Sequence, residues 1–181
     1  MGLIDRKHRE REKRTNSILE AAENIIASEG FDSLKLTRLA NQIELSRGLI
    51  YYYFKSEENI LAQLISNKMI ELISIFDAIS PQENGFLEIK TILENVYQFF
   101  RKEKNFLNLI SYFTSHKLQK IAAKQSLFYE EYEKKRDKLF SICHSAVEKG
   151  IKDGSIYSCA NSYLIAYTIW ASLGSPDFRT F

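Results

Sequence analysis

The sequence predicts an all-α protein. Seven Gly and two Pro are spread over 181 residues, too few for a sheet-rich fold that needs a tight turn about every ten residues. From Ile18 onward apolar residues recur at three- and four-residue steps, the period of an amphipathic helix. Ser46 and Ser56 each precede such a run, where a hydroxyl accepts an unsatisfied first-turn N–H. An apolar fraction of 45% with 27% charged residues describes a globular chain rather than a disordered one.

Ile18, Ala21, Ala22, Ile25 and Ile26 draw one apolar stripe, so the first helix starts near the basic N-terminal arm and stops at Gly30. Phe31 opens a short connection. Leu36, Leu39, Ala40 and Ile43 mark a second, shorter helix, and Ser46 caps a third that runs to about Phe54. Ser56 caps a fourth whose first turn holds Glu57 and Glu58, acids that the helix dipole favours there. That helix continues through Ile60, Leu61, Leu64, Ile65, Leu72 and Phe76, and Pro81 and Gly85 punctuate its end. The Ser80–Gly85 stretch is the strongest compositional break and reads as a domain boundary. Helices follow over Phe86–Arg101, Asn105–His116 and about Ala122–Lys149, the last closed by Gly150. Asp153-Gly154-Ser155 reads as a turn. A final helix spans about Cys159–Leu173, with Tyr163, Ala166, Tyr167 and Trp170 on one face.

The net charge of +2 says less than its distribution. Arg6 to Arg14 holds six Lys or Arg against Glu10 and Glu12, and Lys35 to Lys55 holds Lys35, Arg38, Arg47 and Lys55 against Glu44 alone. Two local basic clusters suit a head with one surface toward phosphate and another toward water. Cys143 and Cys159 lack metal or redox spacing, and Cys143-His144 with distant His116 makes no metal site, so reduced structural cysteines are expected. With no signal peptide and no apolar run near the ~20 residues a bilayer demands, the chain is expected to be cytoplasmic. No Gly-rich phosphate loop, paired metal ligands or nucleophile–base set argues for an enzyme, and no cofactor is expected.

Two short helices joined by a tight turn form a helix-turn-helix when the second can lie exposed in the DNA major groove. Ala40 is small where the two helices approach, and Leu45 and Ile50 point inward to pin the pair against Ile25 and Leu39. Arg47, Gly48, Leu49, Tyr51, Tyr52 and Tyr53 are left to divide between core and groove. By pattern alone these residues fit a DNA reader or the inside of a helical bundle equally well.

The order of residues goes further. The segment ILEAAENIIASEGFDSLKLTRLANQIELSRGLIYYYFKSEENIL, Ile18 to Leu61, resembles the N-terminal domain of the tetracycline-repressor (TetR) family. The Ile18–Ala22 opening, Gly30-Phe31, Leu39-Ala40, Ser46-Arg47-Gly48, Tyr51 and Phe54 carry the likeness, over about a quarter of the chain and without gaps. The resemblance implies a helix-turn-helix DNA-binding domain over 1–55, with its basic arm, and a helical ligand-binding and dimerisation domain over 56–181. It implies a homodimeric repressor that binds a palindromic operator through residues 35–54 and is released by a small molecule. Carried over, Arg47, Gly48 and Leu49 sit where the family reads bases or nearby phosphates. Tyr51, Tyr53 and Thr37 sit where it contacts phosphate.

Three positions depart from the pattern. Lys35 stands where the family commonly has Thr, and still suits a phosphate as a point charge. Glu44 stands in the turn where Gly is common, so a non-Gly residue has to accept positive φ. Glu57 stands where a phosphate-binding Lys is usual, and either Lys55 replaces that contact or DNA affinity is lowered. Lys55 is favoured as the substitute.

Aromatic residues crowd the C-terminal part, and Tyr97, Phe100, Phe113 and Tyr129 are candidates to line a pocket for an apolar or aromatic effector. The family pairs through its last two long helices. Little chain follows Leu173, so the expected interface uses the Ala122–Lys149 helix, or the chain is truncated. A different class of function is a helical protein-interaction module with a degenerate head, which Glu44 and Glu57 keep open.

Overall fold

Eight α-helices and one short 3-10 turn make up the described residues, 3–113, 127–157 and 161–173, of the computed structural model. Helix α1 (Leu3–Glu29) buries the predicted stripe: Ile18, Leu19, Ala21, Ala22 and Ile25 are all 6% exposed or less. It begins far earlier than Ile18, so the basic segment forms its opening turns and is no loose arm. Gly30 ends it at φ +85°, a left-handed conformation that β-carbon-bearing residues resist.

A 3-10 turn (Phe31–Ser33) leads to α2 (Leu36–Gln42) and α3 (Arg47–Tyr53). Glu44, between them, has φ +54°, the conformation expected at that position. For a non-Gly residue this costs roughly 1–2 kcal/mol. Leu34, Leu36, Leu39, Ala40, Ile50 and Phe54 close the head's core against α1, each 4% exposed or less.

Helix α4 (Glu57–Asp77) buries Ile60, Leu61, Leu64, Ile65, Met69, Leu72 and Phe76. It lies against α1 as well as α5 (Gly85–Lys102), α6 (Phe106–Tyr112) and α7 (Leu127–Asp153), so it shares its packing between head and body. Helix α8 (Ser162–Leu173) packs on α7. His116 and the stretch 122–126 lie outside the described residues, as do Cys159 and the chain beyond Leu173.

Two glycines have different jobs from those expected. Gly85 is the first residue of α5, capped by Asn84, whose Oδ1 accepts from the Leu87 N–H at 2.9 Å. A β-carbon on Gly85 would lie 2.0 Å from the backbone nitrogen of Gly150. Gly150 does not close α7 but lies within it; the helix runs on to Asp153 and turns at Gly154, φ +78°. Both glycines are where two backbones cross. Asp153 Oδ2 then accepts the Gly85 N–H at 2.8 Å and Ser155 Oγ the Phe86 N–H at 3.1 Å, so the predicted turn caps α5.

Head and body also meet at Tyr112, which stacks on Phe31 with ring centroids 4.6 Å apart and donates to Asp32 Oδ1 at 2.8 Å. Burial, then the Asp32 hydrogen bond, pushes the Tyr112 hydroxyl up to about 12. Because the folded state holds the proton more tightly, this link stabilises fully below the unfolded phenol's value and is lost as pH rises through about 12. Tyr112→Phe should therefore remove part of the fall in melting temperature between pH 10 and 12, roughly the unfolded and folded values. An identical melting profile for the two proteins over that range would deny the link any energetic weight.

Candidate nucleic-acid interface and body cavity

Helix α3 divides its residues by the 3.6-residue period. Ile50 and Phe54 are buried and Tyr53 is half-buried against the same core. Arg47, Gly48, Tyr51 and Tyr52 face outward, the two tyrosines at 45% and 62% exposure. Leu49 is half-buried, and its N–H donates to the Ser46 hydroxyl at 3.2 Å, the expected cap. Of the sequence-derived candidates, Lys35 and Thr37 lie exposed at the start of α2, and Lys55 lies exposed just past α3. Tyr53 stands on the core side instead, edge-on to Tyr52 at 5.4 Å. Tyr52 was missed, although its spacing from Gly48 by one helical turn and its opposition to Ile50 and Phe54 were readable.

Gly48 has no atom within 4 Å of where its β-carbon would be. Nothing among the described residues therefore requires a glycine there. The basic count on this side is also smaller than the composition suggests. Arg38 is tied to Glu29 by two hydrogen bonds, Nη1 to Oε2 at 2.6 Å and Nη2 to Oε1, and holds that carboxyl below its ordinary range. Lys55 Nζ donates to the Tyr51 carbonyl at 2.9 Å and covers an open C-terminal acceptor of α3.

Glu57 has a use that the sequence did not reveal. Its Oε1 accepts the Leu36 N–H at 3.1 Å, the first N–H of α2. The residue before that helix, Lys35, supplies no side-chain cap. Glu57 thus caps from the start of α4 a helix that lies 21 positions earlier in the chain. Its carboxylate is turned to an N–H of the head, where the dipole favours an anion. Glu57→Ala should destabilise the protein by about 1 kcal/mol, a typical loss for a cap. Glu57→Lys should be at least as costly in a thermal melt. An unchanged midpoint in both would mean that the contact carries no weight.

Residues 18–64 match the profile of the bacterial regulatory proteins of the tetR family. Over those residues the chain carries a tetR-family N-terminal domain. SlmA, the nucleoid occlusion factor of Glaesserella parasuis serovar 5, is 28% identical over 67% of this chain and 61% of its own length. The fatty acid metabolism regulator protein of Bacillus subtilis is 38% identical over 31% of this chain and 29% of its own. The matches span less than two thirds of these curated relatives. The crystal structure of FadR from Bacillus subtilis in complex with stearoyl-CoA superposes with a TM-score of 0.67 at 20% identity, covering 91% of this chain and 84% of that one. A tetR-family regulator from Rhodococcus RHA1 gives 0.73 at 16% identity, over 91% and 83%. At such identities the likeness establishes the shared fold, a helix-turn-helix head on a helical body.

Within the helical body, α4 to α8 line a cavity of about 330 Å³. Met69, Leu72, Phe76, Val96, Leu139 and Trp170 give it apolar walls. Ser111, Tyr132 and Arg136 are its polar members among the described residues. Of the four sequence candidates Phe100 lines it. Phe113 is buried with its ring 6.0 Å from that of Tyr132, and Tyr97 stands under the Arg101 guanidinium at 5.8 Å; neither is a lining side chain. The side chain of Tyr129 lies outside the described residues. The wall aromatics are Phe76, Phe100, Phe106, Tyr132 and Trp170, one from each of α4 to α8, because pockets between helices recruit inward positions of every element around them.

Among the described residues no cluster of three His, Cys, Asp or Glu is placed to hold a metal ion. Burial pushes the Cys143 thiol up to about 11, leaving it protonated and unreactive at neutral pH. No described helix is long and apolar enough to cross a membrane.

Proposed function

We propose that this chain is a DNA-binding transcriptional regulator, a dimeric repressor whose α3 enters the major groove of a palindromic operator. The observation that carries the reading is the division of α3. Ile50 and Phe54 fix the helix to the core, while Arg47, Gly48, Tyr51 and Tyr52 stand outward. Arg47, in the first turn, reaches base edges; Lys35, Thr37, Tyr51, Tyr52 and Lys55 hold phosphate. Open space at Gly48 lets the duplex approach the backbone. The head comprises residues 1–55 and the body 56–181.

Dimerisation follows from the need to read two half-sites. Helices α7 and α8 are the last described pair, and α8 exposes Tyr163, Leu164 and Tyr167 at more than half of their surface. Phe140 of α7 meets Tyr163 at 5.2 Å, so the apolar face runs across both helices. This pair supports an interface of the usual kind, in place of one built on the long helix alone. The body cavity takes an apolar effector, whose binding releases DNA; FadR, with the same fold, is known in complex with stearoyl-CoA.

The interaction-module alternative leaned on Glu44 and Glu57. A turn residue at positive φ and a cap on α2 give both acids structural work, so neither argues for a degenerate head. The test is a mobility shift with the DNA upstream of the protein's own gene, scanned for an inverted repeat. A shift that an unlabelled repeat removes and random DNA does not is expected. No shift at low salt would sink the proposal.

A further inference from the structure

The first half of α1 stands exposed among the described residues. From Arg6 to Asn16 every residue except Thr15 is exposed. Residues 3–16 project as a helix roughly 20 Å long at 1.5 Å per residue. A free helix of that length is marginal in water, and its side-chain pairs, the ion pair Arg6–Glu10 at 3.2 Å and the His8–Glu12 contact at 3.5 Å, are exposed and worth little.

Those pairs occupy both acids of the Arg6–Arg14 stretch. Like Lys13 on another side of the helix, Lys7, Arg11 and Arg14 have no ion-pair partner among the described residues. They are spaced four and three apart, and Ile18 follows four further on, so all four share one line along the helix. The stripe that is apolar where α1 lies on the head, through Ile18, Ala21, Ala22 and Ile25, becomes cationic where α1 leaves it. No apolar residue occurs between Arg6 and Asn16. The segment thus lacks the face that a membrane-surface helix or a coiled-coil partner needs. A row of fixed cations with no apolar counterpart matches a polyanion.

We propose that Lys7, Arg11 and Arg14 form a second phosphate-binding surface that follows the duplex flanking the site read by α3. The proposal rests on the DNA-binding reading above and adds contacts beyond the helix-turn-helix. These contacts are independent of base sequence and strengthen operator and random DNA alike.

The test uses the full chain and the triple variant Lys7→Ala, Arg11→Ala, Arg14→Ala, with circular dichroism and a thermal melt to check that both are folded. Binding is followed by fluorescence anisotropy against salt, on the operator with long flanks and on the operator trimmed to the two half-sites. Each phosphate neutralised contributes about 0.9 to the slope of log affinity against log salt. On the long duplex, the dimeric variant's slope should be shallower by roughly 5, from three cations on each protomer, and on the trimmed duplex the two proteins should coincide. Equal slopes on the long duplex overturn the proposal. So does an equal loss on both duplexes, which would place the cations on the core site. Preference of the wild-type extension for phosphatidylserine vesicles over flanking DNA overturns it too. Failure of both proteins to bind any duplex is the failure of the DNA-binding reading itself, and is distinct from equal, steep slopes.

Discussion

Gly85→Ala should lower the melting temperature more than any other single methyl added to this protein. Its β-carbon would fall 2.0 Å from the Gly150 nitrogen, 2.3 Å from its Cα and 2.6 Å from the Ala146 carbonyl oxygen. All three are backbone atoms of α7, so no side chain can rotate away and one helix must move. Overpacking a core typically costs about 1–3 kcal/mol, and a contact of backbone on backbone belongs at the upper end. For a chain of this size, a loss of about 3 kcal/mol corresponds to a fall of roughly 6–12 °C. Displacing α5 also disturbs the cap that Asp153 and Ser155 place on its first N–H groups. Gly48→Ala is the matched comparison, since a β-carbon there meets nothing within 4 Å. It should leave the melt unchanged or raise it, because Ala is the better helix former by about 1 kcal/mol. Equal melts for Gly85→Ala and wild type would show that α5 and α7 are free to separate.

The second large effect is expected in DNA binding. Arg47→Ala should weaken specific binding by roughly 5- to 150-fold, equivalent to the 1–3 kcal/mol of a bidentate guanine contact. Binding to random DNA should change little. Arg47 is the first residue of α3, exposed, with no side-chain hydrogen bond or ion pair among the described residues. Its loss should not move the melting temperature, which separates this effect from that of Gly85. Competition titrations with operator and random duplexes read both affinities. If both fall by the same factor, Arg47 holds phosphate and the base-reading role is wrong.

Most of the head was legible in the sequence because its signals are local. The stripe Ile18 to Ile26, the Ser46 and Ser56 caps and the strain at Glu44 each depend on residues within a few positions. Features that depend on distant residues were not. Glu57 looked like a misplaced charge until the fold brought it to Leu36, and Gly85 and Gly150 looked like helix stops until two backbones crossed at them. Tyr53, given to phosphate by the resemblance, stands half-buried on the core side, as the spacing of Ile50 and Phe54 would place it. The cavity was the least legible. Five helices contribute to it, and an inward aromatic reads the same whether it faces a void or another side chain.

The measurement closest to the central claim is guanine methylation interference on the operator. A methyl at guanine N7 blocks the major-groove edge that Arg47 would read. Two symmetry-related guanine positions, one helical turn or a multiple of it apart, are expected, whose methylation abolishes binding by the wild-type protein. Arg47→Ala should be indifferent to them. Binding that tolerates methylation at every guanine would contradict the placement of α3 in the major groove.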